Sequence, residues 1–525
     1  MNDDASRALA NVRSTAIDGR LHNIYWRQDQ LRSLHSTLVS HEAAVLEATT
    51  KDSGNTLAEA KTEFYLALAA VKQHFSSLNP EHELEREYCI AHGKDAADKR
   101  DPVGIVYIEP QSSHTLFYSV IVPLASAITA GNCVVVQLET TLQSVPSILR
   151  QILTAALDAD VFALVPTRPP SSFFTAPPIN VISVLQNGSS SEESGVAPST
   201  SLIASPTSAL AVAIVERTAD LGAAAKALVT ARFGFGGRSP YAPDVVLVNE
   251  FAKEAFLNAV VQESIRYMAV GEKSNGTAAN GKLGGGGGGG RKGGQQSTVE
   301  ELKNEAGVRV VTAGSNGAIL DVEKRESAAL GRKIGERCLV VHATTSLDDG
   351  IDLTNSARIA AAAGNSPPLI ATYFFADPAS CKYMSQFTAA HLSFANHFPL
   401  DLLVGPAAPT TTAPFDTSTR FPPNLFTIPR PQYAKPSPLS ARLSGILQAA
   451  SSSVSGGGGN GVEALQSLKR EATSALPPDR PYKKNIGFFE QGIMLGLGMT
   501  AVPLLSGLGL LGWYGTRSVL AYWRG

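Results

Sequence analysis

Residues 102–110, PVGIVYIEP, and residues 123–136, PLASAITAGNCVVV, decide the fold of this chain. Each contains a short run of β-branched residues, which is typical of a buried strand. An apolar helical stretch and a Gly-Asn turn separate the two runs, so a strand, a helix and a strand follow one another. This alternation continues along the chain and predicts an α/β fold with parallel strands. The predicted strands are residues 103–108, 134–136, 180–185, 245–248, 308–311, 339–341 and 369–375, and the predicted helices are residues 25–50, 63–78 and 251–261.

The composition excludes several classes of protein. A length of 525 residues allows two or three domains. The formal net charge is −2, from 44 basic and 46 acidic residues, so we expect no nucleic-acid partner. The four cysteines form no CxxC pair and the ten histidines show no metal-ligand spacing. Zinc ribbons and thioredoxin-type motifs are therefore excluded, and no metal site is predicted.

The C-terminal region contains a candidate membrane span. Residues 492–514, GIMLGLGMTAVPLLSGLGLLGWY, form a run of 23 residues without a charge, enough to cross a hydrocarbon core of about 30 Å. A buried helix of a soluble core is the alternative. Basic residues are more frequent before the span than after it, which predicts that the body of the protein faces the cytosol. They are Lys469, Arg470, Arg480, Lys483 and Lys484 before it, and Arg517 and Arg524 after it.

Two glycine-rich stretches divide the chain. The first lies within residues 275–296 and includes seven consecutive glycines, and the second includes Gly456 to Gly459. Such sequences cannot bury enough surface to offset their ordering entropy, so we expect them to be flexible. The predicted organisation is a polar N-terminal tail (1–24), a dinucleotide-binding-like domain (25–205), a catalytic-like domain with a Gly-rich insertion (206–395), a return and oligomerisation segment (396–440), a flexible tether (441–485) and a transmembrane anchor (486–516).

Six stretches, in order over residues 25 to 430, resemble the aldehyde dehydrogenase superfamily, and most closely its fatty-aldehyde branch, which also carries a hydrophobic tail. The resemblance implies a Rossmann-like dinucleotide domain, an α/β catalytic domain and a homodimer. The stretches are residues 27–54 with 63–78, 102–110 with 123–136, ARFGFGGRSPYAPDVVLVNEFAKEAF at 231–256, SLDDGIDLTN at 346–355, PPLIATYFFAD at 367–377 and HLSFANHFPLDLLVGP at 391–406.

The catalytic residues that the resemblance implies are absent. The family oxidises aldehydes through a cysteine thiolate, from which hydride passes to NAD or NADP before water releases the acid. The nucleophile position, two residues before Ala242-Pro243-Asp244, is Pro240. A family asparagine five residues earlier is Phe235, and the oxyanion-binding asparagine falls within residues 111–114, QSSH. The general-base glutamate has no counterpart at residues 206–209, and the nearest acid is Glu216.

The cofactor residues that the resemblance implies are also altered. The lysine expected at the adenine ribose is Gln137. A Gly-Ser pair near the pyrophosphate corresponds to Gly188 and Ser189. The glutamate at the nicotinamide ribose corresponds to Lys333 without gaps, or to Glu336 with a shift, and both alternatives stay open.

Two functions follow from the sequence. The first is a catalytically inactive member of the family that acts as a membrane-anchored scaffold or ligand sensor, with membrane lipid as a partner. The second is an NAD(P)-dependent oxidoreductase that oxidises long-chain aldehydes at a membrane through another nucleophile. The four missing catalytic features favour the first.

Overall fold

The computed structural model describes residues 3–187, 202–268, 298–356, 369–409, 417, 419–451, 459–476 and 488–524. The chain forms two compact units, residues 1–435 and residues 436–525. The predicted Gly-rich insertion at residues 275–296 lies outside the described residues.

The first unit contains a five-stranded sheet in which all neighbouring strands are parallel, in the order β4-β3-β2-β5-β6. Its central strands are buried on both faces because helices cover them, which explains their continuous apolar sequences. The strands of this sheet are β2 Gly104–Glu109, β3 Cys133–Gln137, β4 Phe162–Val165, β5 Asn180–Leu185 and β6 Leu202–Ala204. Strand β1, Arg100–Pro102, precedes them in the chain and lies outside the sheet.

The Gly-Asn turn before β3 joins three parts of this unit. The Asn132 side chain accepts a hydrogen bond from the Gly104 N–H at 2.9 Å and donates one to the Phe426 carbonyl at 2.9 Å. β1 (Arg100–Pro102) also pairs antiparallel with a late strand, Thr427–Pro429. In the sequence, these two strands lie next to Gly104 and Phe426, the residues that Asn132 contacts. The return segment is therefore tied to the start of the first sheet.

The second sheet has seven strands in the order β13-β12-β7-β8-β11-β10-β9. All neighbours are parallel except β9 and β10, which pair antiparallel at one edge. The chain passes from the first sheet to the second between Ala204 and Leu210. The strands of this sheet are β7 Leu210–Val215, β8 Val245–Asn249, β9 Val308–Gly314, β10 Gly317–Val322, β11 Cys338–Thr344, β12 Leu369–Phe375 and β13 Leu392–Ala395. The last strand of the chain's first unit, β14 Thr427–Pro429, pairs with β1 and lies outside this sheet.

Helices surround both sheets. The N-terminal segment, expected to be a polar tail, contains α1, whose Leu9 and Val12 are buried in the core. The single helix predicted over residues 25–50 is two helices that meet at His41. The helices of the first unit are α1 Asp3–Asp18, α2 Ile24–Ser40, α3 Glu42–Ser53, α4 Leu57–Ser77, α5 Pro80–Glu87, α6 Leu116–Thr129, α7 Ser144–Ala156, α8 Ser171–Thr175, α9 Leu221–Phe233, α10 Lys253–Met268, α11 Thr298–Lys303, α12 Leu347–Thr354 and α13 Pro378–Phe387.

The second unit is helical. Helices α14 (Pro438–Ser451) and α15 (Gly459–Ala472) occupy much of the stretch expected to be a flexible tether, and Arg442 contacts Glu471 at 3.0 Å. Helix α16 (Phe488–Arg524) contains the charge-free run and is longer than it. Residues 490–524 are long and apolar enough to cross a membrane.

Candidate functional site

The loop that carries the nucleophile position connects α9 to β8. Phe235 and Gly236 have left-handed backbone angles, with φ of 50° and 70°, and Gly237 follows with φ of 72°. Phe235 is buried, and its N–H donates to Glu59 Oε1 at 2.7 Å. Left-handed angles are costly for a residue with a side chain, so the surrounding contacts must hold this turn in place.

Pro240 offers no group for nucleophilic attack. It is buried, and its carbonyl oxygen accepts a hydrogen bond from Lys333 Nζ at 2.7 Å. Proline has no side-chain heteroatom and no backbone N–H. The adjacent Ser239 is also buried, and its hydroxyl donates to the Leu402 carbonyl at 3.0 Å, a contact that fixes the turn.

Asp244 anchors the end of this loop. Its two carboxylate oxygens contact the guanidinium of Arg232 at 3.2 Å and the ammonium of Lys333 at 2.9 Å. They also accept the backbone N–H groups of Ala211 and Ile334, each at 2.9 Å. Burial lowers the pKa of Arg232 and Lys333, and the charge of Asp244 opposes that shift. The carboxylate therefore stabilises the buried Arg232 and the half-buried Lys333, and it joins the loop to β7 and to the segment before β11.

Lys333 has no donor left for a ligand. An ammonium carries three N–H groups, and Lys333 Nζ contacts three acceptors, the carbonyls of Ala209 and Pro240 and the carboxylate of Asp244. The shifted alternative, Glu336, lies just before β11, and its carbonyl accepts from the Cys338 N–H at 2.7 Å. Its role at a nicotinamide ribose stays a prediction. Gly188 and Ser189 lie outside the described residues.

The resemblance implies that the residue at Gln137 contacts the adenine ribose of a dinucleotide. Gln137, at the end of β3, accepts a hydrogen bond from the Tyr107 hydroxyl. Arg168 contacts Glu109 at 3.7 Å and lies over the ring of Phe174 at 5.6 Å. Gln137 therefore accepts from Tyr107 where the resemblance assigns a lysine, and Lys333, one of the two alternatives at the nicotinamide ribose, donates to three acceptors of the fold.

Two polar side chains near the missing catalytic positions have other partners. His114, within the stretch aligned with the oxyanion asparagine, is buried and its Nε2 donates to the Leu403 carbonyl at 2.9 Å. Burial lowers its pKa to about 3, so the ring is neutral. Glu216 accepts from the Asn249 side-chain amide at 3.0 and 3.2 Å. Both side chains therefore serve contacts within the fold.

The three buried cysteines do not provide a substitute nucleophile in an activated state. Cys133, Cys338 and Cys381 are buried, and burial raises the pKa of the first two thiols to about 12. Burial raises the pKa of Cys381 as well. Cys89 is partly exposed in the connector after α5, where its Sγ donates to the Glu85 carbonyl at 3.3 Å. Reactive cysteines need the opposite shift, toward the thiolate. Among the described residues, no group of three or more His, Cys, Asp or Glu side chains is placed to hold a metal ion.

A cavity of about 220 Å³ lies beside the loop. Helices α3 and α4, the segment before α6 and Arg238 line it. Glu63 of α4 is 1% exposed and accepts from the Tyr118 N–H at 3.2 Å. Sequence patterns did not single out Glu63 or Arg238, because α4 is far from the loop along the chain. The only signal was an acid at a position of α4 with the spacing of its buried residues.

Glu63 should make stability depend on pH. Burial raises its pKa from 4.5 to about 7, against the opposing effect of backbone N–H donors. Between these values the folded chain keeps a proton that the unfolded chain has released, so the free energy of unfolding falls as pH rises. From about pH 5 to about pH 7 we expect Glu63 to contribute a loss of about 2 kcal/mol. Glu63→Gln cannot ionise and should flatten this slope in chemical denaturation. Equal slopes for both proteins would contradict the assignment.

The comparisons with known proteins agree with this fold. The profile of the aldehyde dehydrogenase family matches residues 2–318, more than half of the chain. The chain belongs to the aldehyde dehydrogenase family. The matched residues include the first sheet, the loop that carries Pro240 and the first strands of the second sheet.

Two curated members of the aldehyde dehydrogenase family are similar to parts of this chain. The aldehyde dehydrogenase family 3 protein comG of Dictyostelium discoideum is 26% identical over 155 residues, covering 29% of this chain and 33% of that protein. The 4,4'-diaponeurosporen-aldehyde dehydrogenase of Staphylococcus aureus is 23% identical over 277 residues, covering 49% of this chain and 55% of that protein. The matches thus span between a third and about half of the relatives' lengths.

Solved structures of aldehyde dehydrogenases share the fold more completely. A substrate-bound AldH of Staphylococcus aureus has a TM-score of 0.63 and 17% identity, covering 89% of this chain and 100% of that one. The glyceraldehyde-3-phosphate dehydrogenase GapN of Methanocaldococcus jannaschii, complexed with NADP, has a TM-score of 0.58 and 14% identity, covering 82% and 93%. Identities this low extend the likeness to the fold alone.

Proposed function

We propose that this chain is a membrane-anchored aldehyde dehydrogenase-family protein that does not oxidise aldehydes and acts as a scaffold or ligand sensor. The single observation that carries the proposal is the buried Pro240 at the nucleophile position, with its carbonyl bonded to Lys333. A homodimer, which the family resemblance implies, is part of the proposal.

The surroundings of Pro240 support the loss of catalysis independently. Aldehyde oxidation needs a thiolate, an oxyanion donor, a base and a bound hydride acceptor. Here the oxyanion segment supplies a neutral His114 bonded to Leu403, and Lys333, one of the two alternatives for the nicotinamide-ribose position, has all its donors engaged. One substitution cannot restore this set.

Pro240→Cys is expected to leave aldehyde oxidation at background. The variant regains a thiol but not the other three functions, so neither it nor the unmodified chain should form NADH or NADPH from short- or long-chain aldehydes. The measurement is cofactor absorbance with full-length protein in detergent, and an active member of the family serves as the assay control. Turnover by the unmodified chain would establish the oxidoreductase instead, and turnover by Pro240→Cys alone would show that the remaining site is intact.

The membrane part of the proposal rests on helix α16. Residues 490–524 form a long apolar helix, and leucines such as Leu504 and Leu508 are exposed. Exposed apolar surface on this scale indicates a lipid or protein environment. The excess of basic residues before the helix supports a body that faces the cytosol.

Full-length protein is expected to stay in the membrane pellet after alkaline carbonate extraction. Leu504→Lys combined with Leu508→Lys should release it, because each lysine at the centre of a span costs about 3 kcal/mol. Leu439→Lys with Leu443→Lys, on exposed positions of α14, is the matched control and should stay in the pellet. Release of the unmodified chain would contradict the anchor, and protease protection of the body would contradict its cytosolic orientation.

A further inference from the structure

Helix α14 carries an apolar row of residues that the structure leaves exposed. Leu439, Leu443 and Leu447 recur every four residues, so their side chains lie on one face of the helix. They are 51%, 37% and 67% exposed. These three residues are called the leucine stripe below. A row of exposed leucines on one helix face indicates an apolar contact.

Helix α15 packs on a neighbouring face of α14. Arg442 donates to Glu471 and Ser467 of α15 at 3.0 and 3.3 Å. Ile446, one turn after Arg442, is half-buried on the same face. The contact between the two helices therefore uses the face of Arg442 and Ile446, and the leucine stripe stays open.

The composition of α14 favours an uncharged lipid surface over a charged one. Its sequence, PLSARLSGILQAAS, contains one ionisable side chain, Arg442, and that charge is paired with Glu471. The other polar side chains are serines and a glutamine. An interfacial helix binds through buried apolar area and through attraction to anionic lipid. Because its one charge is paired, α14 depends on the first of these.

The chain keeps α14 close to a bilayer that holds α16. Helix α15 ends at Ala472 and α16 begins at Phe488, so residues 473–487 join them. Even fully extended, these 15 residues reach no further than about 50 Å. Contact between the leucine stripe and that bilayer is then intramolecular, with an effective concentration on the order of 1 mM.

The size of the leucine stripe fits a lipid surface better than a protein partner. Leu439 to Leu447 span about 12 Å along the helix. A stable protein interface uses about 20–30 residues on each side, whereas an interfacial helix needs only its own apolar face in the bilayer. A bilayer surface is therefore the occupant that these observations favour.

We propose that α14 lies in the surface of the bilayer that α16 spans, with the leucine stripe inserted about 5–10 Å into the boundary between headgroups and acyl chains. Apolar burial supplies the binding, and gaps between headgroups admit leucine side chains. The helix therefore recognises loosely packed, curved bilayers of neutral lipid. The inference deepens the membrane part of the proposed function and rests on its anchor.

The test uses full-length protein inserted by its tail into preformed vesicles that contain brominated acyl chains. A fluorophore is attached at Leu443→Cys, Ala441→Cys or Leu508→Cys, each combined with Cys89→Ser because Cys89 is a partly exposed native thiol. Ala441 is exposed and faces away from the leucine stripe, since two residues turn a helix by about 200°. Bromine quenches only nearby fluorophores, so we expect quenching at positions 443 and 508 but not at position 441.

Curvature and charge sharpen the expected result. Quenching at position 443 should be at least about twofold greater in small, highly curved vesicles than in large ones. Replacing part of the neutral lipid by anionic lipid should leave it unchanged. Leu439→Gln with Leu447→Gln should remove it while quenching at position 508 stays, because glutamine keeps the helix but not the apolar face.

The outcomes separate this inference from the anchor. Quenching at position 508 without quenching at 443, or equal quenching at 441 and 443, overturns the interfacial helix and leaves the anchor intact. Equal quenching at 443 in small and large vesicles, or a rise with anionic lipid, overturns the recognition of loose packing. Cross-linking of position 443 to a second copy of the chain would identify a protein occupant instead. Loss of quenching at both 443 and 508 overturns the anchor, and this inference with it.

Discussion

Asp244→Asn is expected to lower the free energy of unfolding by about 3–5 kcal/mol, because it leaves the buried Arg232 and the half-buried Lys333 without their counter-charge. Arg232 and Asp244 are both 0% exposed at their side chains, and Lys333 is 23% exposed. Asparagine keeps the size of the side chain and part of its hydrogen bonding, so the loss reports the charge. Chemical denaturation of the full-length protein in detergent, followed by circular dichroism, measures it.

Asp101→Asn is the matched control for Asp244→Asn. Asp101 contacts Arg430 at 3.6 Å, but the two side chains are 36% and 66% exposed. Exposed ion pairs contribute less than about 1 kcal/mol, so this variant should unfold close to the unmodified protein. Similar losses for the two variants would show that burial of the Asp244 cluster has no special energetic effect.

Gly237→Ala is expected to destabilise the loop by about 2–5 kcal/mol, the combined cost of a left-handed angle and a close backbone contact. The φ of Gly237 is 72°, and an added Cβ would meet the carbonyl of Glu336 more closely than real Cβ atoms approach a neighbour. That carbonyl belongs to the backbone, so it cannot move aside as a flexible side chain can. The loss is measured by the same denaturation experiment.

Gly54→Ala separates the two causes. Gly54 has a similar φ of 68°, but an added Cβ would meet nothing within 4 Å. This variant carries only the cost of the backbone angle, about 1–2 kcal/mol. If both variants lose the same stability, the contact between Gly237 and Glu336 has no energetic role.

The sheets were predictable in part, because buried parallel strands leave a strong apolar signal. The prediction missed β4, β6, β7, β10 and β13, although β7 is buried along its whole length. The predicted strand at residues 180–185 matches β5, and that at residues 369–375 matches β12. Helix ends were less predictable. The break at His41 has no proline or glycine to mark it, and the leucines of α2 continue an unbroken apolar pattern toward α3.

The candidate site was predictable only where one motif spans it. The Ala-Pro-Asp motif locates Pro240 and Phe235, since both lie within a few residues of it. The cavity is different, because Asn55 and Arg238 are brought together by the fold from distant parts of the chain. Lys333 also has polar partners that are far away in sequence, the carbonyls of Ala209 and Pro240. No local pattern reports such contacts.

Helix α16 is longer than a membrane requires. Its 37 residues extend about 55 Å, whereas a hydrocarbon core is about 30 Å thick. With the charge-free run in the bilayer, residues 515–524 extend about 15 Å beyond it and carry Arg517, Tyr522 and Arg524. In the proposed orientation this short basic helix is on the opposite side of the membrane from the body. The protein would then be accessible from two compartments, and a binding partner or an antibody could reach residues 515–524 without access to the cytosol.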